Sequence, residues 1–344
     1  MTALQPLRLV VMGTGPFAVP MFAALVRSHH RLLAVVTRPD RAAPGRRPPP
    51  NPMRAAATAA GVPVLDPERI NDDVAIAALA GLAPDLLVVC DYGQILSPRV
   101  LAIAPLGGIN LHGSLLPRHR GAAPIQWAIL AGDPITGVSV IHMTPALDAG
   151  AVIVARAAPI YPGDTAAALE AHLADLGAGA TLEAIERLDA ARAFWKPGEP
   201  LEIGVPQDAG KATKAPRLSK ADGVVDWSLP AVRIERMRRA LEPWPRTTAF
   251  LARSGGDLLR VVLEDVAVDP DHAAVAAGAA PGTILAAGDA GIAVACGGGS
   301  ALIIRRLVPE GRRGMTAAEF LHGHPIQPGM RFAAAAPQVQ SRPS

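Results

Sequence analysis

Three side chains near the middle of the sequence could together carry out acyl-transfer chemistry: Asn110, His112 and Asp148. Asn110 and His112 lie two positions apart in the strand-like run 108–112, so their side chains point to the same face. A carboxamide beside an imidazole can stabilise the oxyanion that forms when a carbonyl is attacked. Asp148, in the turn 147–150, is the nearest group able to act as a general base or proton relay. A buried structural histidine with an asparagine partner is the alternative interpretation.

The loop after this strand suits a flat heteroaromatic ligand with an acidic tail. Residues 114–117 combine a hydroxyl group, two apolar side chains and a proline, and Arg118 and Arg120 follow them. An ordinary surface loop is the competing interpretation. The position of the loop, directly after a polar strand end and between glycine and proline residues, favours the ligand-binding interpretation.

A glycine-rich turn near the N-terminus matches a dinucleotide-binding fingerprint only superficially. Gly13-x-Gly15-x-x-Ala18 follows the first strand, but Pro16 stands in the turn. The end of the second strand also carries no acidic residue that could hold a ribose hydroxyl. The pattern therefore favours a tight strand-to-helix turn over NAD binding.

Strand-like and helix-like segments alternate through the first half, which predicts a doubly wound, mostly parallel α/β sheet. Continuous apolar runs at 7–12 and 86–90 are typical of strands buried on both faces. A long amphipathic helix is predicted over 165–188. Ligands of such sheets bind at the carboxyl ends of the strands, which is where Asn110 and His112 lie.

The composition changes after Arg192, where the apolar periodicity ends. A helix is predicted at 230–241, and four short segments rich in Val, Ile and Leu follow, at 258–263, 282–286, 292–295 and 301–307. Such spacing predicts a small barrel or sandwich. We therefore divide the chain into four parts: a catalytic domain at 1–192, a linker at 193–207, a barrel domain at 208–333 and a disordered tail at 334–344.

Composition excludes several classes of protein. Half of the 344 residues are apolar and 18% are charged, which excludes a disordered chain. The two cysteines cannot build a disulfide framework or a four-thiolate zinc site. No apolar run is long enough to span a bilayer and the start does not resemble a signal peptide, so we expect a cytoplasmic protein without a membrane partner.

Basic side chains are concentrated in the second half. Residues 191–344 carry 19 basic against 15 acidic side chains, whereas residues 1–190 carry 14 against 15. All four lysines lie between 196 and 220. This distribution indicates an anionic partner or, alternatively, a solvated basic face. The 3% aromatic content disfavours a protein that stacks the bases of single-stranded nucleic acid.

The motifs resemble those of the methionyl-tRNA formyltransferase family. The run Asn110-x-His112-x-Ser114-Leu-Leu-Pro-x-x-Arg120-Gly-Ala-Ala-Pro124, with Leu-Asp148-Ala-Gly after it, is similar to the family signature. Other similar segments lie across most of the chain, at 13–18, 38–41, 92–96, 126–129, 218–220, 226–227, 243–245 and 281–284. The Asn-His-Asp trio also occurs in other enzymes that use formyltetrahydrofolate, and the matches in the second half point to tRNA.

The resemblance implies a Rossmann-like formyltransferase domain followed by a small, OB-fold-like β-barrel domain that binds tRNA. It implies transfer of the formyl group of 10-formyltetrahydrofolate to the amino group of methionine on initiator tRNA, with no metal. Asn110 and His112 would polarise the formyl oxygen, and Asp148 would manage protons. The folate site would be lined by Ser114, Leu115, Leu116 and Pro117. The tRNA contacts would come from Arg38, Arg41, Arg46, Arg47, Lys211, Lys214 and Lys220. We expect a monomer.

Some positions depart from the family pattern. Arg46 and Arg47 precede a proline triplet where relatives often carry lysines, Asp91 stands where a small apolar residue is common, and His119 replaces an aromatic residue. Three other functions compete with formylation of methionyl-tRNA: formylation of a sugar-nucleotide amine, hydrolysis of formyltetrahydrofolate, and tRNA binding without catalysis. The basic second half argues against the first two, and the intact trio argues against the third.

Overall fold

The computed structural model describes residues 5–41, 51–196, 201, 203–253 and 256–333. Arg46 and Arg47 lie outside the described residues, as do the predicted tail 334–344 and residues 197–200 and 202 of the predicted linker. No helix in the described ranges is both long and apolar enough to cross a membrane.

The chain forms two compact units. The first comprises the residues up to Ala128 together with Pro134–Tyr161 and Ala168–Pro216, and the second comprises Ile129–Asp133, Pro162–Ala167 and the residues from Arg217 onward. The sequence-based division begins the barrel domain at residue 208, whereas residues 208–216 pack with the first unit. These nine residues make contacts with the catalytic site that no local pattern indicates.

A seven-stranded sheet forms the centre of the first unit. Its strands are β1 (Arg8–Met12), β2 (Arg31–Val36), β3 (Val64–Leu65), β4 (Leu86–Val89), β5 (Gly108–His112), β6 (Ile135–His142) and β7 (Val152–Pro159). Their order is β3-β2-β1-β4-β5-β6-β7, with β1 to β5 parallel and the last two strands antiparallel. This arrangement confirms the predicted Rossmann-like fold.

Six helices accompany this sheet in the described part of the chain: α1 (Val19–Val26), α2 (Pro52–Ala59), α3 (Asp73–Leu82), α4 (Pro98–Leu101), α5 (Pro124–Ala131) and α6 (Ala166–Arg192). Helix α2 begins where the sequence provides a cap, since the Asn51 side chain accepts a hydrogen bond from the Arg54 amide and Pro52 takes the first helical position. Strand β4 is buried along its whole length, as its continuous apolar run predicts.

The strand order places a crevice at the carboxyl ends of β1 and β4. The chain runs outward from β1 through β2 to β3 and then returns to the other side of β1 with β4. Such a reversal is the point where open α/β sheets bind ligands, because the connections leave the two strand ends in opposite directions. Strand β5 lies next to β4, so its end borders the same crevice.

The second unit contains an antiparallel sheet whose two edges are joined by a short segment of chain. Its elements are α7 (Ala231–Ala240), β8 (Thr248–Ala252), β9 (Leu258–Val268), α8 (Ala273–Ala276), β10 (Ile284–Gly288), β11 (Gly291–Cys296), β12 (Ser300–Pro309), β13 (Met315–Thr316) and α9 (Ala317–Gly323). The strand order is β10-β11-β12-β9-β8, and β13 pairs with β12.

The segment 329–333 closes this sheet into a barrel. On one side, the Ala252 amide donates to the Arg331 carbonyl at 3.0 Å and the Ala333 amide donates to the Phe250 carbonyl at 2.7 Å. On the other side, the Ile284 amide donates to the Met330 carbonyl at 2.8 Å. Both edge strands therefore find hydrogen-bond partners in the same few residues, which removes the open edges of the sheet.

Aromatic side chains fill the centre of the second unit. The rings of Trp227 and Phe332 lie 5.0 Å apart, and both side chains are buried with Phe320 of α9 in one apolar cluster. Helix α9 and strand β8 were not predicted. A capping box does mark the start of α9, since Thr316 and Glu319 exchange hydrogen bonds there, and this signal is readable in the sequence.

Replacing Phe332 with Ala should lower the free energy of unfolding of the second unit by about 3–5 kcal/mol, because the ring is buried and joins the closing segment to the core. Guanidinium unfolding followed by tryptophan fluorescence would measure the change. The control is Phe194→Ala, since Phe194 is 91% exposed. Equal losses in the two variants would contradict the role of the closing segment.

Candidate active site

The first unit places two of the predicted catalytic side chains at the carboxyl end of a single strand. Asn110 and His112 lie on β5, and Asn110 is aligned with Val89 of β4. Because they are two positions apart on one strand, their side chains share a face. His112 is buried, whereas Asn110 remains partly exposed and open to a ligand.

A backbone carbonyl determines which nitrogen of His112 carries the proton. The Nε2 atom lies 2.9 Å from the carbonyl oxygen of His119. A carbonyl only accepts hydrogen bonds, so Nε2 must be protonated and the neutral ring has its lone pair on Nδ1. Nδ1 lies 3.8 Å from Oδ2 of Asp148. The free lone pair and the carboxylate therefore lie on the same side of the ring.

Burial lowers the pKa of His112 below its ordinary value, and the nearby His119 ring acts in the same direction. The negative charge of Asp148 and the hydrogen bond to the His119 carbonyl oppose this shift by favouring the imidazolium. Burial has the larger effect, so the imidazole is neutral at pH 7. The charge of Asp148 lies where it would favour an imidazolium if the ring gained a proton.

Asp148 is held by the backbone around it. Its φ is 50°, in the left-handed region, and its Oδ2 accepts a hydrogen bond of 2.9 Å from the Gly121 amide. The neighbouring Gly150 lies so close to the carbonyl of His142 that an added Cβ would be 1.8 Å from its oxygen. Only glycine fits there, which explains its place in the turn.

Ser114, Leu115, Leu116 and Pro117, the predicted folate-binding residues, follow β5 directly. The Ser114 hydroxyl is buried and donates to the Arg118 carbonyl at 2.7 Å. The other three side chains are partly exposed. The serine therefore shapes the loop, and the contact surface for a ligand comes from the apolar side chains. Their folate contacts stay a prediction.

The crevice between β1 and β4 contains a carboxylate that belongs to the protein. The Thr14 amide donates to the Asp91 carbonyl at 3.0 Å, and a hydrogen bond from the Gly15 backbone reaches the Asp91 side chain. Oδ2 of Asp91 lies where an added Cβ on Gly15 would be only 1.8 Å away. In dinucleotide-binding turns a phosphate takes this position, so the carboxylate disfavours such a ligand.

Partial burial in this crevice raises the pKa of Asp91 to about 6, and the Gly15 hydrogen bond opposes the shift. The residue as a whole nevertheless remains exposed to solvent. Glu170 of α6 lies near enough for its pKa to be raised too, first by burial and then by the charge of Asp91.

The predicted tRNA-binding cations have different surroundings. Arg41 is exposed and paired with Glu68, and Arg38 is partly buried beside Gly93. Lys211, Lys214 and Lys220 are exposed. Nζ of Lys211 lies 3.5 Å from Oδ2 of Asp208. Lys211 and Lys214 belong to the first unit and Lys220 to the second. Their contacts with tRNA stay predictions.

Two residues of the site escaped the sequence analysis, Gln207 and Thr213. Gln207 donates to the carbonyls of Asp148 and Gly150, at 2.9 and 2.8 Å. The Thr213 hydroxyl accepts a hydrogen bond of 2.8 Å from the His119 amide. Both lie in an aperiodic stretch after α6, so no local pattern distinguishes them from linker residues.

Within the described ranges, no group of three or more His, Cys, Asp and Glu side chains is placed to hold a metal ion. The arrangement offers instead a hydrogen-bond donor at Asn110, a proton acceptor at Nδ1 of His112 and a counter-charge at Asp148. Such a set can assist an amine that attacks a carbonyl group.

Comparisons with known proteins assign both units to one kind of enzyme. A family model described as formyl transferase matches residues 7–185, and another described as formyl transferase, C-terminal domain, matches residues 217–325. The chain is 44% identical to the methionyl-tRNA formyltransferase of Rhodopirellula baltica, over 95% of this chain and 97% of the relative. It is 40% identical to that of Symbiobacterium thermophilum, over 98% and 99%.

Solved structures share the fold at much lower identity. A sugar 3N-formyltransferase crystallised with dTDP and 5-N-formyl-THF has a TM-score of 0.60 at 12% identity, over 87% of this chain and 97% of its own. HypX from Aquifex aeolicus in complex with tetrahydrofolic acid has a TM-score of 0.57 at 18% identity, over 92% of this chain and 47% of its own.

The Asp91→Asn variant should be more resistant to heat than the wild type above pH 6 and equal to it below about pH 4. A raised pKa means that ionising Asp91 costs more in the folded protein than in the unfolded chain, so wild-type stability falls as the pH rises from about 4 to 6. Asparagine tolerates the left-handed backbone at this position. Thermal unfolding at several pH values measures the difference.

The control for this measurement is Asp175→Asn, at an exposed position of α6. Its melting temperature should follow that of the wild type at every pH. A constant offset between Asp91→Asn and the wild type, independent of pH, would contradict the assigned ionisation.

Proposed function

The chain belongs to the methionyl-tRNA formyltransferase family, and we propose that it transfers the formyl group of 10-formyltetrahydrofolate to the amino group of methionine on initiator tRNA. The observation that carries the proposal for the site is the juxtaposition of Asn110 with Nδ1 of His112 and Oδ2 of Asp148. This set provides for the two needs of an amine attacking a formyl carbon, which are oxyanion stabilisation and proton transfer.

The reaction begins when the methionyl nitrogen attacks the formyl carbon. A carbon–nitrogen bond forms, and the electron pair of the carbonyl moves onto the formyl oxygen. The carboxamide of Asn110 donates a hydrogen bond to this oxyanion. The neutral His112 takes a proton from the attacking nitrogen at Nδ1, and the Asp148 carboxylate stabilises the resulting imidazolium.

The same proton then serves the departure of the folate. Protonated Nδ1 can first donate a hydrogen bond to the oxyanion, so His112 polarises this oxygen only after the attack. As the oxyanion reforms the carbonyl, the bond to N10 of the folate breaks and N10 receives the proton. His112 returns to its neutral form, which burial favours.

The two substrates would meet different parts of the chain. The apolar side chains of Leu115, Leu116 and Pro117 suit the flat ring system of the folate. The exposed Lys211, Lys214 and Lys220 suit the phosphates of the tRNA, together with Arg38 and Arg41. Relatives that act on methionyl-tRNA match this chain in both units, which supports a tRNA acceptor over a small one.

Formyl transfer from 10-formyltetrahydrofolate to charged initiator tRNA is the direct test, with charged elongator tRNA as the control acceptor. We expect transfer to the initiator alone. Transfer to a sugar-nucleotide amine, or release of free formate with no transfer to tRNA, would overturn the proposed acceptor and leave the formyl chemistry in place.

The His112→Ala variant should lose formyl transfer by about 10²–10⁴-fold in kcat, because it removes the group assigned to take the proton. Its retention of tRNA should stay within about twofold of the wild type, since His112 is buried in the catalytic unit. Filter binding and single-turnover transfer measure the two effects. An equal loss of retention and transfer would show that the assigned roles are wrong.

Replacing Lys211, Lys214 and Lys220 together with Gln should make tRNA binding less sensitive to salt. Each phosphate contact contributes about 0.7–0.9 to the slope of log affinity against log salt concentration, so the loss of three contacts should lower the slope's magnitude by about 2–3. Lys196→Gln is the control, as this lysine is outside the proposed contact set. An unchanged slope in the triple variant would exclude these contacts.

A further inference from the structure

Residues 205–215, called here the returning segment, lie along the catalytic unit beside the reactive residues. Val205 exchanges two backbone hydrogen bonds with Val152 of β7, at 2.8 and 2.9 Å. Farther along, the Arg120 amide donates to the Thr213 carbonyl at 2.8 Å and the Ala215 amide donates to the Arg120 carbonyl at 2.7 Å. The segment is therefore fixed at both ends before the chain enters the second unit.

Gln207 lies between these two anchor points and has partners on both sides of its amide. Nε2 donates to the carbonyls of Asp148 and Gly150, and Oε1 accepts from Nε and Nη2 of Arg120 at 3.1 and 2.7 Å. Carbonyls can only accept and a guanidinium can only donate, so the orientation of the amide is fixed by its neighbours. Both donors and the oxygen of the side chain are in use.

These hydrogen bonds form a closed network around the proposed catalytic carboxylate. Gln207 holds the backbone of Asp148, Gly121 holds its Oδ2, and Arg120, next to Gly121, holds Gln207. The backbone of Asp148 is in the left-handed region, which an aspartate occupies only when its surroundings keep it there. Within this network, the amide of Gln207 fixes the backbone conformation by donating to the carbonyls of Asp148 and Gly150.

We propose that Gln207 is a positioning residue that keeps the Asp148 carboxylate at the right distance from Nδ1 of His112. The inference rests on the proposed function, in which Asp148 stabilises the protonated His112. The hydrogen-bond partners of the Gln207 side chain are Arg120 and the carbonyls of Asp148 and Gly150, so it would contact neither His112 nor the reacting atoms. It acts through the backbone of residues 148–150, and a displacement of about 1 Å there can cost about 10²-fold in rate.

Gln207→Glu is the most informative variant, since it keeps the size of the side chain and the acceptor for Arg120. It replaces the donor by an oxygen that repels both carbonyls, which releases the loop 148–150. We expect kcat to fall by about 10²-fold, with KM for either substrate within about threefold of the wild type. Pro206→Ala, at the exposed neighbouring residue, should keep the wild-type kcat.

A double-mutant comparison separates positioning from a general structural role. In the Asp148→Asn background, the further change Gln207→Glu should lower kcat by no more than about twofold, because no carboxylate remains to be placed. Effects that multiply in the double variant would overturn the proposal. A melting temperature of Gln207→Glu far below that of the wild type, with wild-type kcat in the cold, would overturn it as well.

The titration of His112 supplies a measurement that does not depend on turnover. The charges of two neighbouring side chains, Asp148 and His119, shift the pKa of His112. Of these two, only Asp148 raises it. Moving the carboxylate away should therefore lower the pKa of His112 in Gln207→Met, which removes the amide donor without adding a charge, and NMR of the ring protons detects the change. An unchanged pKa would contradict the proposal. Absence of formyl transfer to methionyl-tRNA by the wild type would instead count against the proposed function.

Discussion

The hydrogen bond between Nε2 of His112 and the carbonyl of His119 is the interaction on which the proposed chemistry of the site depends. It fixes the protonated nitrogen, so the lone pair of the neutral ring must lie on Nδ1, on the side of Asp148. Without that bond the ring could take the other tautomer, and the carboxylate would face an N–H that has no lone pair to offer an amine. Burial then keeps the ring neutral until a substrate supplies a proton.

The conformation of the backbone is the second constraint, and it is unusual at the site. In the described part of the chain, five non-glycine residues have a positive φ, and Asp91, His119 and Asp148 are three of them. Each such residue costs free energy, of the order of 1–3 kcal/mol, and keeps this conformation only because its neighbours offset that cost. A specific hydrogen bond restrains each of the three backbones. The partner is the amide of Thr14 for Asp91, the hydroxyl of Thr213 for His119, and the side-chain amide of Gln207 for Asp148.

Local patterns were enough to predict most of the sheet and the placement of Asn110 and His112 on one strand. Strand β5 has the predicted bounds, and Asn110 and His112 share a face because strands alternate with period two. The carboxyl-end rule then placed them at a crevice. The contacts of Gln207 and Thr213 could not be predicted. Both residues lie in an aperiodic stretch, and their partners in the site are 59 and 94 positions away in the sequence. Closure of the barrel by residues 329–333 is similarly non-local, as it depends on two strands far away in the sequence.

The returning segment affects how this protein is made and how its parts can be exchanged. A nascent chain that ends at residue 192 already contains the asparagine, the histidine and the aspartate, but not the glutamine and threonine that hold their surroundings. With the proposed roles of these residues, the active site is complete only once the chain has been synthesised as far as residue 215. Neither family match covers residues 186–216. A junction placed there between two relatives would separate the catalytic half from Gln207 and Thr213, which make hydrogen bonds with it. A functional exchange of the two halves calls for a junction after Pro216, where the continuous C-terminal part of the second compact unit begins.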